Sequence, residues 1–211
     1  RFAASASAPL EIENRSLGYR LQFVLEQFIY DKSRERSQTV GKWSFEELEP
    51  KSERERDDWV RRREVAFKGS LQHLLWAMAN GVVREEGFSL LRDYSEGARN
   101  PAMMLWDYHP VQLTDIMNQT DRPYEYRLQF PDFLRVYYER KDRSQRMFAR
   151  ATLPAEQLSY LRMSKSSVRF HHSGYLYNAD ASEGQLIVYG YLATLGVADL
   201  LPQEYALLRE P

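Results

Sequence analysis

Apolar and polar residues alternate along the chain from residue 19 to residue 26. The apolar positions are Tyr19, Leu21, Phe23 and Leu25, and Arg20, Gln22 and Glu26 lie on the other face, with Val24 as the one apolar exception. A period of two is typical of a half-buried antiparallel strand. The apolar set resumes at Phe28, out of step with Leu25, which predicts a bulge near Glu26 and Gln27. Residues 40–45 return after a charged tip and predict the antiparallel partner of this strand.

A second pattern, with apolar residues three or four positions apart, predicts one helix from about Ser52 to Asn80. Ser52 and Glu55 are spaced as a capping box, and Gly81 stands where helices commonly end. The apolar stripe consists of Trp59, Phe67, Leu71, Leu74, Leu75 and Met78. Gly69 lies inside the stripe at a cost of about 1 kcal/mol relative to alanine, which the close approach of a bulky ring such as Trp43 would explain. The arginines of the opposite face, Arg63 among them, are expected to face solvent.

Shorter alternating stretches predict the remaining strands. Residues 124–130 and 133–140 are expected to form a hairpin, and a second hairpin turns around His172 to Gly174. The predicted fold is α+β: an antiparallel twisted sheet with one long helix packed on a face and a short C-terminal helix. Residues 1–9 are expected to be a linker from a missing upstream domain, and residues 10–211 a single domain.

Composition and charge narrow the function classes. The 211 residues include 29 Lys and Arg against 30 Asp and Glu, so the broad basic footprint of a nucleic-acid-binding protein is missing. The chain has no cysteine, which excludes disulfides, thiolate zinc sites and cysteine nucleophiles. No apolar run approaches the ~20 residues that span a bilayer as a helix. A high content of tyrosine and phenylalanine, 14 and 10 residues, favours a sheet-rich globular protein.

Two short stretches contain candidate catalytic residues. Asp107 and His109 lie in the sequence WDYHP, within a predicted long loop, and they are the candidates for catalysis. No serine nearby completes a familiar triad, so ordinary loop hydrogen bonding is the simpler interpretation. A carboxylate pair among Glu46, Glu47 and Glu49 could serve a glycosidase if held about 5–9 Å apart, but a lead-in to the helix explains these residues more simply.

The histidines and tyrosines suggest binding or packing. His73 lies beside the apolar stripe and is expected to be buried and hydrogen-bonded. His171 and His172 are adjacent in a predicted strand, so their side chains should point to opposite faces and not share a metal ion. No metal or cofactor site is predicted. The predicted interaction residues are Tyr124, Tyr126, Tyr137 and Tyr138, with at least one of the consecutive pair in the core.

Three blocks of the sequence resemble one protein family. They read PLEIENRSLGYRLQFVLEQF, RRREVAFKGSLQHLL and GYLATLGVADLLPQEY, in this order. The family is the carboxypeptidase-regulatory-like-domain proteins of Bacteroidetes-type bacterial envelopes, in the region C-terminal to their transthyretin-like domain. The residues that match its pattern are Asn14, Leu17, Gly18, Tyr19, Gly69, Ser70, His73, Gly190, Leu201, Pro202 and Tyr205. Leu74, Leu75 and Leu192 depart from the pattern, each with an apolar residue for another.

The resemblance implies an exported protein, periplasmic or outer-membrane associated, with a non-enzymatic accessory or scaffold role. Its implied partner is another envelope protein, in an outer-membrane complex. It implies no zinc carboxypeptidase activity, and no histidine of this chain begins an HxxE or HExxH pattern. Two alternatives stay open: a hydrolase acting on peptide or glycan, and a carbohydrate-binding module that uses Tyr124, Tyr126 and Tyr138.

Overall fold

The computed structural model describes residues 2–31, 36–93, 108–139, 157–177 and 184–207. The described chain forms two compact units, divided between Val65 and Ala66. This division falls inside the segment that the sequence assigned to a single domain. Residues 2–4 of the expected linker form a strand of the first unit. Each unit is described by itself below.

The first unit contains one antiparallel sheet. Its strands are β1 (Phe2–Ala4), β2 (Leu10–Asn14), β3 (Tyr19–Asp31) and β4 (Arg36–Glu47). β1 and β2 pair with opposite ends of the long β3, and β4 pairs with β3 along its length. The β3–β4 hairpin confirms the first prediction. The register shifts between Leu25 and Gln27, which confirms the predicted bulge.

Helix α1 (Glu53–Phe67) begins with the predicted cap. The Ser52 hydroxyl accepts a hydrogen bond from the Glu55 amide at 3.2 Å, and the Glu55 carboxylate accepts one from the Lys51 amide at 2.6 Å. Trp59 packs against Gly18 in the turn between β2 and β3, where no space is left for a Cβ. Its indole N–H also donates to the Arg15 carbonyl at 3.0 Å. The helix therefore closes on the β2–β3 turn of its own unit.

Arg63 of α1 is buried, so the expectation that it faces solvent is wrong. Its Nε donates to the Leu17 carbonyl at 2.7 Å, and its Nη1 to Glu47 at 2.6 Å. The guanidinium carbon also lies 4.0 Å from the centre of the Tyr19 ring. A guanidinium can be buried when its donors are satisfied in this way. Arg63 thus links the helix, the β2–β3 turn and β4.

The predicted single long helix is wrong, because the chain leaves the helix at Lys68 and Gly69. Gly69 has φ +74°, a left-handed conformation that ends α1, and a Cβ there would lie 2.5 Å from the Tyr138 ring. Ser70 then caps helix α2 (Leu71–Ala79) by accepting from the His73 amide at 3.0 Å. A bulky ring does approach Gly69, as expected, but it is Tyr138 and not Trp43.

The second unit contains two antiparallel sheets. The first sheet holds β5 (Phe88–Asp93), β6 (Tyr108–Pro110), β9 (Leu134–Tyr138), β10 (Gln157–Met163) and β12 (Leu186–Gly190), and the second holds β7 (Met117–Gln119), β8 (Glu125–Leu128) and β11 (Val168–His171). The predicted hairpin over 124–140 is wrong, because β8 and β9 belong to different sheets. The predicted fold class is also wrong: the described residues form three antiparallel sheets and no single long helix packs on one of them.

Short helices complete the second unit. They are α3 (Leu113–Ile116), two 3₁₀ helices (Tyr191–Thr194 and Val197–Asp199) and α4 (Gln203–Leu207). α4 is the predicted short C-terminal helix. Gln72 of α2 donates to the Pro202 carbonyl at 3.3 Å, just before α4. The Tyr205 ring lies 5.5 Å from the Phe67 ring, so α4 is fixed against the helical part of the unit.

We expect Gly69→Ala to destabilise the protein far more than Gly81→Ala. Both glycines have left-handed backbones, with φ +74° and +72°, but a Cβ at Gly81 meets nothing within 4 Å. The Gly81 variant should lose about 1 kcal/mol, and the Gly69 variant about 2–4 kcal/mol, because the clash with Tyr138 adds to the backbone strain. Urea unfolding measures both, and equal losses would contradict the role of Tyr138.

We expect Arg63→Ala to lower the free energy of unfolding by about 2–3 kcal/mol, since it leaves buried carbonyl groups without their donor. The matched control is Arg61→Ala, two positions earlier in α1. Arg61 is exposed and pairs with Asp58 at 2.7 Å, so its loss should stay within about 0.5 kcal/mol. Urea unfolding followed by tryptophan fluorescence reports the difference.

Candidate functional site

Two rows of polar and aromatic residues cross one face of the three-stranded sheet of the second unit. The segment after β11 returns beside that strand, with the Tyr177 amide donating to the Arg169 carbonyl at 3.0 Å and the His171 amide to the Tyr175 carbonyl at 2.8 Å. Directly paired residues share a face of a sheet. The first row is Asn118, Arg127, Arg169 and Tyr177, and the second is Thr120, Glu125, His171 and Tyr175. We call these eight residues the polar face.

The opposite side of the same strands belongs to the core. Leu128, Val168 and Phe170 are almost fully buried, and Tyr126 stacks on Phe170 with ring centres 5.6 Å apart. Alternation along β8 and β11 thus separates a packed apolar face from the polar face. The fold holds the polar face in place through the core side of the same strands.

A buried carboxylate organises the centre of the polar face. Glu125 accepts hydrogen bonds from Arg169 Nη1 at 3.2 and 3.3 Å, one to each oxygen, and from the Thr120 hydroxyl at 3.0 Å. The Arg122 guanidinium lies 3.8 Å away. Burial, and after it the charge of Glu125, raises the pKa of Tyr177 above its usual range. Tyr177 therefore keeps its phenolic proton at neutral pH and remains a hydrogen-bond donor.

Arg127 stands directly across the strand pair from Arg169, so two like charges face each other. Such a pair is unfavourable unless other charges offset it. Arg169 has Glu125 as its counter-ion. Arg127 is exposed, and no hydrogen bond or ion pair to it is found among the described residues. The polar face thus presents one uncompensated guanidinium.

The two adjacent histidines lie together, so the expectation that they point to opposite faces is wrong. β11 ends at His171, and His172 already belongs to the turn that follows. Their ring centres are 4.4 Å apart. Gly174, with φ +79°, packs so closely on the backbone of Gln72 in α2 that no Cβ would fit. The turn is therefore fixed against α2, and it places both imidazoles at one end of the polar face.

Tyr124 is the exposed aromatic residue beside this turn. The residue is 61% exposed, and its backbone has φ +63°, which is unusual for a residue other than glycine. Its carbonyl accepts from the His172 amide at 2.8 Å, and its ring lies 4.7 Å from the His172 ring. The surrounding contacts hold Tyr124 in a strained conformation that presents its ring to solvent.

His171 is held as a neutral acceptor. Its Nδ1 lies 2.9 Å from the Ser173 hydroxyl, 3.2 Å from the Ser173 amide and 3.1 Å from Gln203 Nε2 in α4. Burial, and after it the neighbouring His172, lowers the pKa of His171. Ser173 is fully buried, so its hydroxyl cannot meet a substrate. The pair resembles a serine–histidine dyad in distance only.

The four predicted interaction tyrosines are not brought together. Tyr124 borders the polar face, whereas Tyr126 stacks on the core side of the same sheet. Tyr138 is buried against Phe88 and Gly69, as expected for one member of the consecutive pair. Tyr137 lies on the five-stranded sheet, where the Arg135 guanidinium sits 4.5 Å from its ring centre.

The catalytic roles predicted for Asp107 and His109 stay predictions. Asp107 lies outside the described residues, and only the backbone of His109 is described, paired with Arg92. Glu46 and Glu47 form separate ion pairs, with Arg20 at 3.0 Å and with Arg63 at 2.6 Å. Within the described ranges, no cluster of three metal-ligating side chains is found.

His73 is buried and hydrogen-bonded, as its position beside the apolar stripe predicted. Its Nδ1 accepts from the Gly69 amide at 3.0 Å, so the ring proton is on Nε2, which donates to Glu86 at 2.8 Å. Both ring nitrogens are engaged, and the ring packs among Phe67, Phe88 and Tyr138. His73 has no nitrogen left for a substrate.

Sequence reasoning missed the two arginines and the glutamate of the polar face. The pattern that could have found them is the alternation of EYRL over 125–128 with VRFH over 168–171, which places Glu125 and Arg127 on one face of one strand and Arg169 on one face of the other. Pairing the two stretches required the register, which the sequence did not supply.

Comparisons with protein-family models, curated proteins and solved structures give no match to this chain. In the described part of the chain, every helix is too short or too polar to cross a membrane. The residues that carry the family resemblance are structural. Asn14 and Gly18 form the β2–β3 turn, Gly69 and His73 form the helix break, and Pro202 anchors α4.

We expect the stability of the wild type to fall as the pH drops from 7 to 5, and to fall less in His171→Gln. The pKa of His171 is lowered in the folded state, so the unfolded chain takes up the proton first, beginning near pH ~6.5. The stability that neutral His171 contributes to the folded state is therefore complete above that pH and is lost progressively below it. Urea midpoints measured across this range test the slope, and an unchanged slope in His171→Gln would contradict the assignment.

Proposed function

We propose that this chain is a non-enzymatic accessory protein that binds another protein of the bacterial envelope through the polar face and Tyr124. The support for binding is the composition of this surface. Tyrosine and arginine are the residue types that contribute most to protein interfaces, because each combines a large contact area with directed hydrogen bonds. The polar face offers both types on a rigid sheet.

The observation that carries the proposal is the exposed ring of Tyr124 on a strained backbone. Backbone strain persists only where surrounding contacts impose it, and it is concentrated at functional sites. Packing in the core does not explain the position of this ring, because the residue is 61% exposed to solvent. A role in contacting a partner accounts for both the exposure and the φ of +63°.

The chemistry of the polar face favours recognition over hydrolysis. Ser173 is buried, and Nδ1 of His171 is occupied by Ser173 and Gln203. Glu125 is the carboxylate of the polar face, and its oxygens are already bonded to Arg169 and Thr120. A hydrolase would need an available acid, base or nucleophile at this surface.

The envelope location is proposed from the family resemblance. Its three blocks cover both units of the chain, from residue 9 to residue 205. The matching residues define turns and packing, so the resemblance supports a shared framework and an exported accessory role. The partner itself is proposed from the polar face.

A carbohydrate-binding module is the second candidate. The observation in its favour is the exposure of two aromatic rings, Tyr124 and Tyr175, at the same turn. Exposed aromatic faces can stack on sugar rings. A glycan array separates the two candidates, because a module of this kind should bind a defined oligosaccharide, and an accessory protein should bind none through Tyr124.

We expect Tyr124→Asn to reduce recovery of the partner about tenfold or more in pull-downs from crosslinked envelopes of the source bacterium. Asparagine tolerates the left-handed backbone, so the variant removes the ring with little change in strain. The matched control is Val60→Ala, which shortens an exposed apolar residue of α1 in the first unit. Recovery of only the free monomer with the wild type, or equal recovery with Tyr124→Asn, would refute the proposal.

A further inference from the structure

We infer that the polar face binds an acidic segment of the partner protein, with a carboxylate held between Arg127 and Arg169. This inference rests on the proposed function and names the chemistry of its partner. It goes further because it assigns a charge and a pair of anchor residues to the bound segment.

The charges of the polar face favour a negatively charged ligand. Glu125 serves both Arg169 and Arg122, at 3.2 Å and 3.8 Å, and it is buried. Arg127 adds a further positive charge directly opposite Arg169, and its guanidinium is exposed. Asp121 in the neighbouring turn is exposed beside Arg122. A carboxylate from a partner would offset the repulsion between the facing arginines.

The first row provides donors for such a segment. Asn118, Arg127, Arg169 and Tyr177 stand on adjacent strand segments, which are spaced about 4.8 Å apart. Three such steps span about 14 Å, the length of about four extended residues. Burial raises the pKa of Tyr177, so its hydroxyl stays protonated and can donate a hydrogen bond. An extended acidic segment can therefore meet amide, guanidinium and hydroxyl donors in succession.

A peptide fits this surface better than a neutral sugar. A guanidinium binds a carboxylate through two parallel hydrogen bonds, and a hydroxyl group cannot offset the charge of Arg127. The aromatic residues Tyr124 and Tyr175 lie at the border, where they can pack against the side chains that flank the acidic residues. The charged groups occupy the centre, and the exposed rings occupy the edge.

Fluorescence anisotropy with two synthetic peptides tests the inference on the whole chain. The probe is a fluorescein-labelled six-residue peptide that alternates glutamate and tyrosine, and its control replaces each glutamate with glutamine. We expect the glutamate peptide to bind at least about tenfold more tightly, and to weaken as salt is raised from 50 to about 300 mM, because screening lowers the attraction.

Variants of Arg127 connect the binding to the polar face. We expect Arg127→Gln to weaken binding of the glutamate peptide about tenfold, and Arg127→Lys to weaken it less, since lysine keeps the charge but not the two parallel donors. The matched control is Arg84→Gln, an exposed arginine of the same unit outside the three-stranded sheet, which should change nothing. Circular dichroism confirms that the variants are folded.

Three results would overturn the inference. They are equal binding of the two peptides, unchanged binding by Arg127→Gln, and binding of an acidic oligosaccharide through Arg127 in place of the peptide. Failure of the inference is distinguishable from failure of the proposed function. If recovery of a partner protein depends on Tyr124 but is unchanged by Arg127→Gln, the acidic segment is refuted and the proposed function stands. If peptide binding depends on Arg127 but no partner is recovered from the envelope, the proposed envelope role is refuted and the acidic-ligand site stands.

Discussion

The structure of the second unit depends on one buried imidazole, His73. The break after α1 leaves the Gly69 amide inside the protein, where an unpaired N–H would be costly. His73, four residues later, accepts that hydrogen bond with Nδ1, and its Nε2–H donates to Glu86, in the turn that leads to β5. The imidazole therefore joins the start of α2 to the first strand of the five-stranded sheet. Its aromatic neighbours bury the ring, and the hydrogen bond to the Gly69 amide is buried as well, which makes the helix break a fixed feature of the fold.

The same residues explain where sequence reasoning succeeded and where it failed. Alternation along β3 predicted the hairpin and its bulge, because a sheet face is specified locally by a period of two. The prediction of one long helix failed because Phe67 and Leu71 are four positions apart across the break. The apolar period therefore continues, although the helical backbone is interrupted. A glycine in a helical pattern was counted as a small cost, but its left-handed φ serves as a helix end. The tertiary contact with Tyr138 that requires this glycine is not visible in the local pattern.

The burial of a charged side chain is the second feature that the pattern of apolar and polar residues did not predict. Arg63 belongs to a helix face rich in arginine, and nothing in its neighbours distinguishes it from Arg61 or Arg62. Its burial follows from the carbonyl groups of Leu17 and Gly18, which the β2–β3 turn directs at the helix. The prediction that His171 and His172 point to opposite faces failed for a related reason. The strand ends at His171, and the turn that follows brings the two adjacent side chains together. In each case a turn decided the direction of a polar side chain.

The separation of framework from surface follows from these observations. The residues on which the proposed resemblance rests lie in turns, helix ends and packed contacts, and none of them belongs to the polar face. Strands β8 and β11 are held by the apolar residues of their inner side, and on their outer side Glu125 is paired with Arg169. Arg127 is exposed in this position, opposite another arginine, where folding alone gives no reason for a second positive charge. The exposed Arg127 is therefore the charge that supports the proposed acidic ligand, and the exposed ring of Tyr124, whose backbone has φ +63°, lies 4.7 Å from the ring of His172 at one end of the polar face.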